Sequence, residues 1–226
     1  MTQFERLGLK GVIFDMDGLL FDTEALYLEA WPHTGEAMGF PITAEIAKAT
    51  IGYPMRAYAG MFQELFGPGF SMAEAHRVMA GWVRSRLEER GMPLKPGVRE
   101  LISFLHQKKI PVALGTSNSS QVARAYLEAA GLLSCFGPIV AGDMVEQVKP
   151  APDIFLKAAS DMGLLPEQCL VLEDSPMGIE SAHRAACLPV MVPDLLGPTA
   201  ETVNQAWRIF GSLTEAADAL FYKNSI

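Results

Sequence analysis

Five short apolar runs, each rich in Val, Ile and Leu, constrain the fold of this 226-residue chain most strongly. All but the last are followed by a stretch with helical patterning. Near-continuous hydrophobic strands that alternate with helices are typical of a parallel sheet covered by helices on both faces. The sequence therefore predicts an α/β fold with a doubly wound, Rossmann-like parallel sheet, whose strands cover residues 11–16, 111–116, 138–142, 169–173 and 189–192.

A long insertion separates the first two predicted strands. About 90 residues lie between them without a strand pattern, which far exceeds an ordinary connection from strand to helix. We therefore expect an all-helical inserted domain over residues 22–94, and an α/β core formed by residues 1–21 and 95–226. Helices are expected from near Asp22 to Gly39, where Pro32 should kink or split the helix, and then over residues 43–50, 54–66, 72–90 and 97–109.

Composition and charge exclude several classes of protein. The net charge of −8, with no basic block to offset it, argues against a general nucleic-acid binder. The sequence contains no stretch of about 18 apolar residues and no secretory signal, so we expect no membrane partner. The three cysteines are scattered and form no disulfide framework, which fits a cytoplasmic protein.

Two acids mark the end of the first predicted strand. Asp15 and Asp17 come directly after the apolar residues 12–14, and Gly18 ends the segment. Carboxylates two residues apart at a strand end lie toward the same side of the sheet. A hydrophobic strand does not need two acids there, because burying unpaired charge is costly. The pair therefore indicates a functional site, against the alternative of a polar exit from strand to loop.

Small polar residues begin at the end of the second predicted strand. Thr116, Ser117 and Asn118 are succeeded by two further serines. Hydroxyl groups and backbone N–H groups at the start of a helix can cradle an anion. The alternative is a simple helix N-cap, a position that Ser and Asn commonly occupy.

Charged residues mark two further segments of the chain. Lys149 precedes Pro150, so its backbone is kept out of a helix and its ammonium can be aimed at a phosphate. Glu173 and Asp174 end the fourth predicted strand, and carboxylate oxygens suit a hard cation such as Mg²⁺. A solvated surface lysine and an acid that complements a helix dipole are the respective alternatives.

The acids, the small polar residues and Lys149 indicate a functional site more strongly as a set than separately. In open parallel sheets, ligands bind beyond the carboxyl ends of the strands, and all of these side chains occur at such ends. The set combines a nucleophilic carboxylate, a phosphate cradle and a metal site, which are the components of phosphoryl transfer.

The same four segments resemble the four motifs of the haloacid dehalogenase superfamily. They are Asp15-x-Asp17-Gly18, the strand that ends in Thr116, Lys149-Pro150 and Glu173-Asp174, in that order across nearly the whole chain. The phrase FDMDGLLFDTE resembles the subgroup that holds β-phosphoglucomutase and small sugar-phosphate or nucleotide phosphatases. Members of that subgroup carry a helical cap between the first two motifs, where the insertion lies.

The resemblance implies a role for each matching residue. Asp15 would be the nucleophile that becomes an aspartyl-phosphate and a ligand of Mg²⁺. Asp17 would act as general acid and then base, and would give a backbone carbonyl to the metal. The phosphoryl oxygens would be held by Thr116 and Lys149, with Ser117 and Asn118 completing the cradle. Asp174 would bind Mg²⁺, and Glu173 would be a ligand or lie just behind the ligands.

Details of the motifs separate the subgroups. Dehalogenases of the superfamily generally lack the second acid of the first motif, so Asp17 favours phosphoryl chemistry. Mutases carry a His where this chain has Tyr27, and their cap arginine has no match in register, since Arg56 lies one residue late. Both departures argue against a mutase. Substrate contacts from the cap are expected from Glu24, Tyr27, Tyr53 and Arg56.

The sequence therefore predicts a Mg²⁺-dependent phosphatase that hydrolyses a small phosphomonoester, such as a sugar phosphate or a nucleotide-like compound. The alternatives are a phosphosugar mutase of the β-phosphoglucomutase type and a non-catalytic phosphate-binding regulatory protein. The intact acid pair argues against the latter, because binding alone does not require Asp17 as a proton shuttle. We expect a monomer or a small homo-oligomer.

Overall fold

A parallel β-sheet forms the centre of the larger part of the chain. The computed structural model describes residues 1–50 and 55–222, and within these ranges six strands pair in the order β3-β2-β1-β4-β5-β6. All the pairings are parallel. The α/β fold class predicted from the sequence is thereby confirmed. The strands are β1 Gly11–Phe14, β2 Val112–Gly115, β3 Ile139–Val140, β4 Cys169–Glu173, β5 Leu188–Met191 and β6 Arg208–Ile209.

The register of the sheet follows from its apolar side chains. Ile13 of β1 lies opposite Ala113 of β2 on one side and Val171 of β4 on the other. These side chains point to one face, where they form a buried cluster with Phe155 and Ala182. Successive residues of a strand point to opposite faces, so the flanking residues of β1 fill the other side. Burial on both faces explains why the central strands are continuously hydrophobic.

Helices pack against the sheet in this part of the chain. In the part of the chain outside the insertion they are α1 Gln3–Arg6, α6 Val98–Gln107, α7 Ser120–Ala129, α8 Asp153–Asp161, α9 Pro176–Arg184, α10 Ala200–Gln205 and α11 Leu213–Leu220, with short 3-10 helices at Leu133–Cys135, Gly142–Met144 and Pro166–Gln168. α8 and α9 supply the apolar side chains that pack on the Ile13 face. α11 contacts α1 and α6.

The insertion is helical within its described residues. Its helices are α2 Thr23–Met38, α3 Ala44–Lys48, α4 Met55–Phe66 and α5 Met72–Arg90. Gly39 ends α2 in a left-handed conformation with φ 75°, as a C-terminal glycine commonly does. The insertion has a hydrophobic core of its own, to which Trp31, Phe62 and Met79 contribute.

Pro32 does not split α2. The helix is continuous from Thr23 to Met38 although proline cannot donate the hydrogen bond that its position calls for. Residues beside it are deeply buried: Ala30 and Trp31 belong to the core of the insertion, and Thr34 donates a hydrogen bond to the Ala30 carbonyl at 2.8 Å. Tertiary packing of this face holds the helix together across the proline, which outweighs the local preference for a break.

The chain divides into two compact units. One comprises Met1–Phe21 together with Pro93–Ile226, and the other comprises Asp22–Met92. Among the described residues, no helix combines the length and the apolar character needed to cross a bilayer.

Candidate active site

The polar residues predicted from the sequence gather at the carboxyl edge of the sheet. Asp15 follows β1 directly, and its backbone N–H donates to the Leu172 carbonyl at 3.0 Å. Thr116 follows β2 and Glu173 ends β4. Because β1 lies between β2 and β4 and all three run parallel, their carboxyl ends meet at one place. Lys149 enters this place from the loop between β3 and α8.

Lys149 bridges two buried acids. Its Nζ donates to Asp15 Oδ1 and, at 2.8 Å, to Glu173 Oε1. The Lys149 side chain is only 6% exposed, so these ion pairs are shielded from water. The other oxygen of Glu173, Oε2, accepts from the backbone N–H of Ser175 at 2.7 Å and from its hydroxyl at 2.9 Å. Lys149 and Ser175 thus hold both carboxylates in fixed orientations.

Burial shifts the protonation equilibria of this group. Loss of solvent raises the pKa of Asp15 to about 8, and the nearby charges of Glu173 and Asp17 add to that rise against the opposing effect of Lys149. Burial alone would lower the pKa of the Lys149 ammonium, but the Asp15 and Glu173 carboxylates outweigh it and raise that pKa. Burial and the neighbouring carboxylates therefore favour the neutral form of Asp15, and the Lys149 ammonium opposes this effect.

Three of these carboxylates form a group suited to a metal ion. One oxygen each from Asp15, Glu173 and Asp174 lies within 4.8 Å of the others. Burial, with the charges of Glu173 and Asp15, raises the pKa of Asp174 well above its usual range. Hard divalent cations prefer such oxygen ligands. Because both oxygens of Glu173 already accept hydrogen bonds, the less engaged oxygens of this group belong to Asp15 and Asp174.

Two glycines leave space for these carboxylates. Gly18 has φ +78°, and a Cβ placed on it would overlap the carboxylate of Asp174. A Cβ on Gly178, in the first turn of α9, would overlap the carboxylate of Glu173. A side chain at either position would therefore displace an acid of the site.

The polar run after β2 divides into two parts. Asn118 Nδ2 donates to Asp17 Oδ2 at 2.6 Å, and the Asn118 backbone N–H donates to Thr116 Oγ1 at 3.1 Å. Thr116 is buried, whereas Ser117 is exposed. Ser119 is the N-cap of α7, with its hydroxyl accepting from the Val122 N–H at 3.4 Å. The N-cap interpretation therefore applies to Ser119. The cradle role of Thr116, Ser117 and Asn118 stays a prediction.

The cap residues predicted to face the substrate are less fully described. Tyr27 lies on α2, half-buried, and packs against the hydrophobic core of the insertion. The side chains of Glu24 and Arg56 lie outside what the structure describes, as does the whole of Tyr53. Their roles stay predictions.

Sequence reasoning missed a second ion pair near this edge. Asp194, three residues past β5, accepts a hydrogen bond from Lys95 Nζ at 2.5 Å. The charge of Asp194 also contributes to the raised pKa of Asp174. The sequence did contain a sign of Asp194, since this acid follows a predicted strand as Asp174 does. A lone acid after a strand is also an ordinary loop residue, however.

Comparisons with known proteins find relatives over most of the chain. A family model for haloacid dehalogenase-like hydrolases covers residues 12–192. A phosphorylated carbohydrates phosphatase from Thermotoga maritima is 34% identical over 78% of this chain and 82% of its own length. The fructose-1-phosphate phosphatase YqaB of Escherichia coli is 35% identical over 77% of this chain and 92% of its own.

A solved structure agrees with the fold. The crystal structure of a proposed beta-phosphoglucomutase from Thermotoga maritima aligns with a TM-score of 0.77 and 31% identity, covering 89% of this chain and 94% of that one. The names of the relatives bear out the predicted enzyme class, that of phosphoric monoester hydrolases. Together with the match over most of its length, they show that the chain belongs to the haloacid dehalogenase-like hydrolase family.

Proposed function

We propose that this enzyme is a Mg²⁺-dependent phosphatase that removes the phosphoryl group from a small sugar phosphate through an aspartyl-phosphate on Asp15. The observation that carries the proposal is the buried bridge from Lys149 to Asp15 and Glu173, with Asp174 beside it. A structural ion pair needs one acid for each lysine. The surplus of carboxylates at this edge calls for a further cation.

The residues fit a divalent metal ion. Asp15 and Asp174 would hold it through side-chain oxygens and Asp17 through its backbone carbonyl, while Glu173 stays bound to Lys149 and Ser175. When bound, Mg²⁺ supplies positive charge that lowers the pKa of Asp15 and offsets the charge of a phosphate dianion. This addition matters because, without it, burial holds the pKa of Asp15 near 8.

Asp15 and Asp17 would carry out the first half of the reaction. An Asp15 carboxylate oxygen forms a bond to phosphorus as the bond from phosphorus to the leaving oxygen breaks. Protonated Asp17 gives its proton to that oxygen, so the alcohol leaves neutral. Asn118, hydrogen-bonded to Asp17 Oδ2, would keep the acid in position for this transfer.

The second half would return the enzyme to its starting state. A water molecule forms a bond to the phosphorus of the aspartyl-phosphate while Asp17, now ionised, accepts a proton from the water. The bond between phosphorus and the Asp15 oxygen breaks, and inorganic phosphate leaves. Lys149 would hold a phosphoryl oxygen in both halves, with Thr116 and the loop after it donating to the others.

The relatives support a sugar phosphate as substrate. Two curated phosphatases that match over more than three quarters of this chain bear names that specify phosphorylated carbohydrates and fructose-1-phosphate. The helical insertion, with its own core, would serve as a cap that excludes water and selects the alcohol.

A screen for phosphate release tests this function. Hexose phosphates, pentose phosphates, nucleotides and phosphoglycolate would be incubated with the purified enzyme and Mg²⁺, and with chelator in a parallel series. We expect a sugar phosphate to be the best substrate and activity to vanish in chelator. Activity that persists in excess chelator would contradict the metal, and a preference for nucleotides would contradict the substrate class. A protein that binds phosphate but releases none from any compound would instead be the regulatory alternative.

A further inference from the structure

Among the residues that the structure describes, none donates a hydrogen bond to one carboxylate oxygen of Asp194. The Asp194 side chain is 9% exposed, and Oδ1 is bound to Lys95 Nζ at 2.5 Å. Within residues 1–50 and 55–222, the other oxygen, Oδ2, is buried and receives no hydrogen bond. A buried carboxylate oxygen without a donor is costly, so its retention needs an explanation.

Oδ2 of Asp194 lies close to Asp174, one of the proposed metal ligands. A Cβ placed on Gly18 would overlap the Asp174 carboxylate and would lie 3.3 Å from Asp194 Oδ2. The two carboxylates therefore border the same small space beside the Asp15–Gly18 turn. Two like charges in one desolvated space repel each other, and a structural ion pair with Lys95 does not require that arrangement.

Lys95 fixes the position of Asp194. The Lys95 backbone N–H donates to the Leu20 carbonyl at 2.9 Å, which ties its chain segment to the loop that contains Asp17 and Gly18. On the other side, the Val192 N–H donates to the Glu173 carbonyl at 2.7 Å, which ties the segment before Asp194 to the end of β4. These bonds attach the segments that carry Lys95 and Asp194 to the two segments that supply Asp15, Asp17 and Asp174.

We propose that Asp194 is a positioning residue for the cation, whose Oδ2 accepts a hydrogen bond from a water molecule in the coordination shell of Mg²⁺. The inference rests on the proposed function, since it requires the metal. Mg²⁺ usually keeps several waters when it binds to protein carboxylates, and those waters donate strongly. Groups behind the ligands that orient them typically change metal affinity about 10-fold to 100-fold when they are removed.

The test compares Asp194→Asn with Asp161→Asn. Asp161 is a partly exposed acid on α8 that pairs with Lys157, so its variant makes the same change of net charge away from the site. Each metal-stripped protein would be titrated with Mg²⁺ in a calorimeter. We expect Asp194→Asn to weaken Mg²⁺ binding about tenfold or more relative to Asp161→Asn. A smaller difference overturns the proposal.

Thermal unfolding in chelator separates positioning from a purely structural role. Because Asp194 and Asp174 repel each other without the metal, Asp194→Asn should then melt at or above the temperature of the wild type. A structural role through Lys95 predicts the opposite, a lower melting temperature with unchanged Mg²⁺ affinity, and that result overturns the proposal.

A measurement on the wild type needs no variant. A crystal structure of the protein with Mg²⁺ should contain a water bonded to both the ion and Asp194 Oδ2, and its absence overturns the proposal even if Asp194→Asn fails to fold. Failure of the proposed function looks different. If the wild type binds no Mg²⁺, both the proposed function and this inference are wrong. If the wild type and Asp194→Asn bind Mg²⁺ equally tightly, only the role of Asp194 is wrong.

Discussion

At the scale of single residues, the candidate site places several acids around one buried lysine. Lys149 contacts Asp15 and Glu173, and Asp174 lies in the same group. Such an arrangement lowers folding stability, because the free-energy cost of burying several like charges exceeds the stabilisation that one ammonium group provides. This cost in stability fits the proposed roles of Asp15 as nucleophile and of Asp15 and Asp174 as metal ligands, because functional sites commonly reduce stability.

A substitution of Asp15, the proposed nucleophile, should affect activity and stability differently. Asp15→Asn keeps the volume of the side chain and removes the attacking oxygen and its charge. We expect turnover to fall by about 10⁴-fold or more, as loss of a catalytic nucleophile typically does. The melting temperature should stay equal or rise, because repulsion with Glu173 is relieved. Steady-state phosphatase assays and calorimetry check both, with Asp161→Asn as control, and a variant that keeps a tenth of the activity would rule out the covalent route.

Lys149 should be costly to remove for a different reason. Lys149→Met leaves Asp15 and Glu173 buried without their shared partner, which typically destabilises a protein by about 3–5 kcal/mol. Part of that loss should return in the double variant with Asp15→Asn, because one of the stranded acids is then neutral. Urea unfolding of the wild type, both single variants and the double variant measures the coupling. Strictly additive effects would mean that the two side chains do not interact as the structure describes.

The sequence was sufficient to find some of these residues and not others. Asp15, Lys149 and Asp174 stand out because each is an unexpected charge next to an apolar strand or a proline. The bond from Asn118 to Asp17 could not be predicted, since 101 positions separate the residues and either could face solvent. Asp194 was missed because the partner that fixes it, Lys95, lies 99 positions away.

At the scale of elements, prediction succeeded where burial dominates. The central strands β1, β2 and β4 are buried on both faces, so their apolar runs were visible. The edge strand β6 was missed because it has two residues, the exposed Arg208 and the half-buried Ile209, and pairs with β5 through its backbone. A strand that is held by backbone hydrogen bonds alone leaves little pattern in its side chains.

The unbroken helix α2 leads to a prediction about stability. Pro32→Ala would restore the hydrogen-bond donor and remove the ring clash with the preceding turn, a penalty of about 3 kcal/mol in an ordinary helix interior. The gain should be smaller, because alanine also frees the unfolded chain. We expect a higher melting temperature with unchanged phosphatase activity. Glu36→Ala, at an exposed position of the same helix, is the control, and a lower melting temperature for Pro32→Ala would mean that the packed helix requires the proline.

At the scale of the whole molecule, the chain combines an α/β unit that carries the family motifs with a helical unit, Asp22–Met92. The four motif segments all belong to the unit formed by Met1–Phe21 and Pro93–Ile226, and they account for phosphoryl chemistry without reference to the insertion. Asp22–Met92 is a compact unit with its own hydrophobic core. The family therefore follows from the first unit, and we expect the choice of substrate to depend on residues of the second, which no general motif specifies.

The distinction between phosphatase and mutase belongs to this scale, because it depends on the acceptor of the phosphoryl group. The solved relative described as a proposed beta-phosphoglucomutase shares the fold, so the fold does not decide the matter. Tyr27 stands where mutases carry a His, and it packs with the core of the insertion, which argues for water as acceptor. We expect inorganic phosphate as the product from every hexose phosphate that reacts.

Phosphorus NMR of the reaction mixture measures this outcome directly. β-Glucose 1-phosphate would be incubated with the enzyme, Mg²⁺ and a trace of the hexose bisphosphate that a mutase needs for activation. The expected spectrum gains the signal of free phosphate and none from glucose 6-phosphate. A Tyr27→His variant, measured beside the wild type, shows whether this position favours transfer to a sugar hydroxyl. Glucose 6-phosphate that accumulates in the wild type faster than free phosphate would overturn the hydrolase assignment, because water would then be losing to a second sugar as the acceptor.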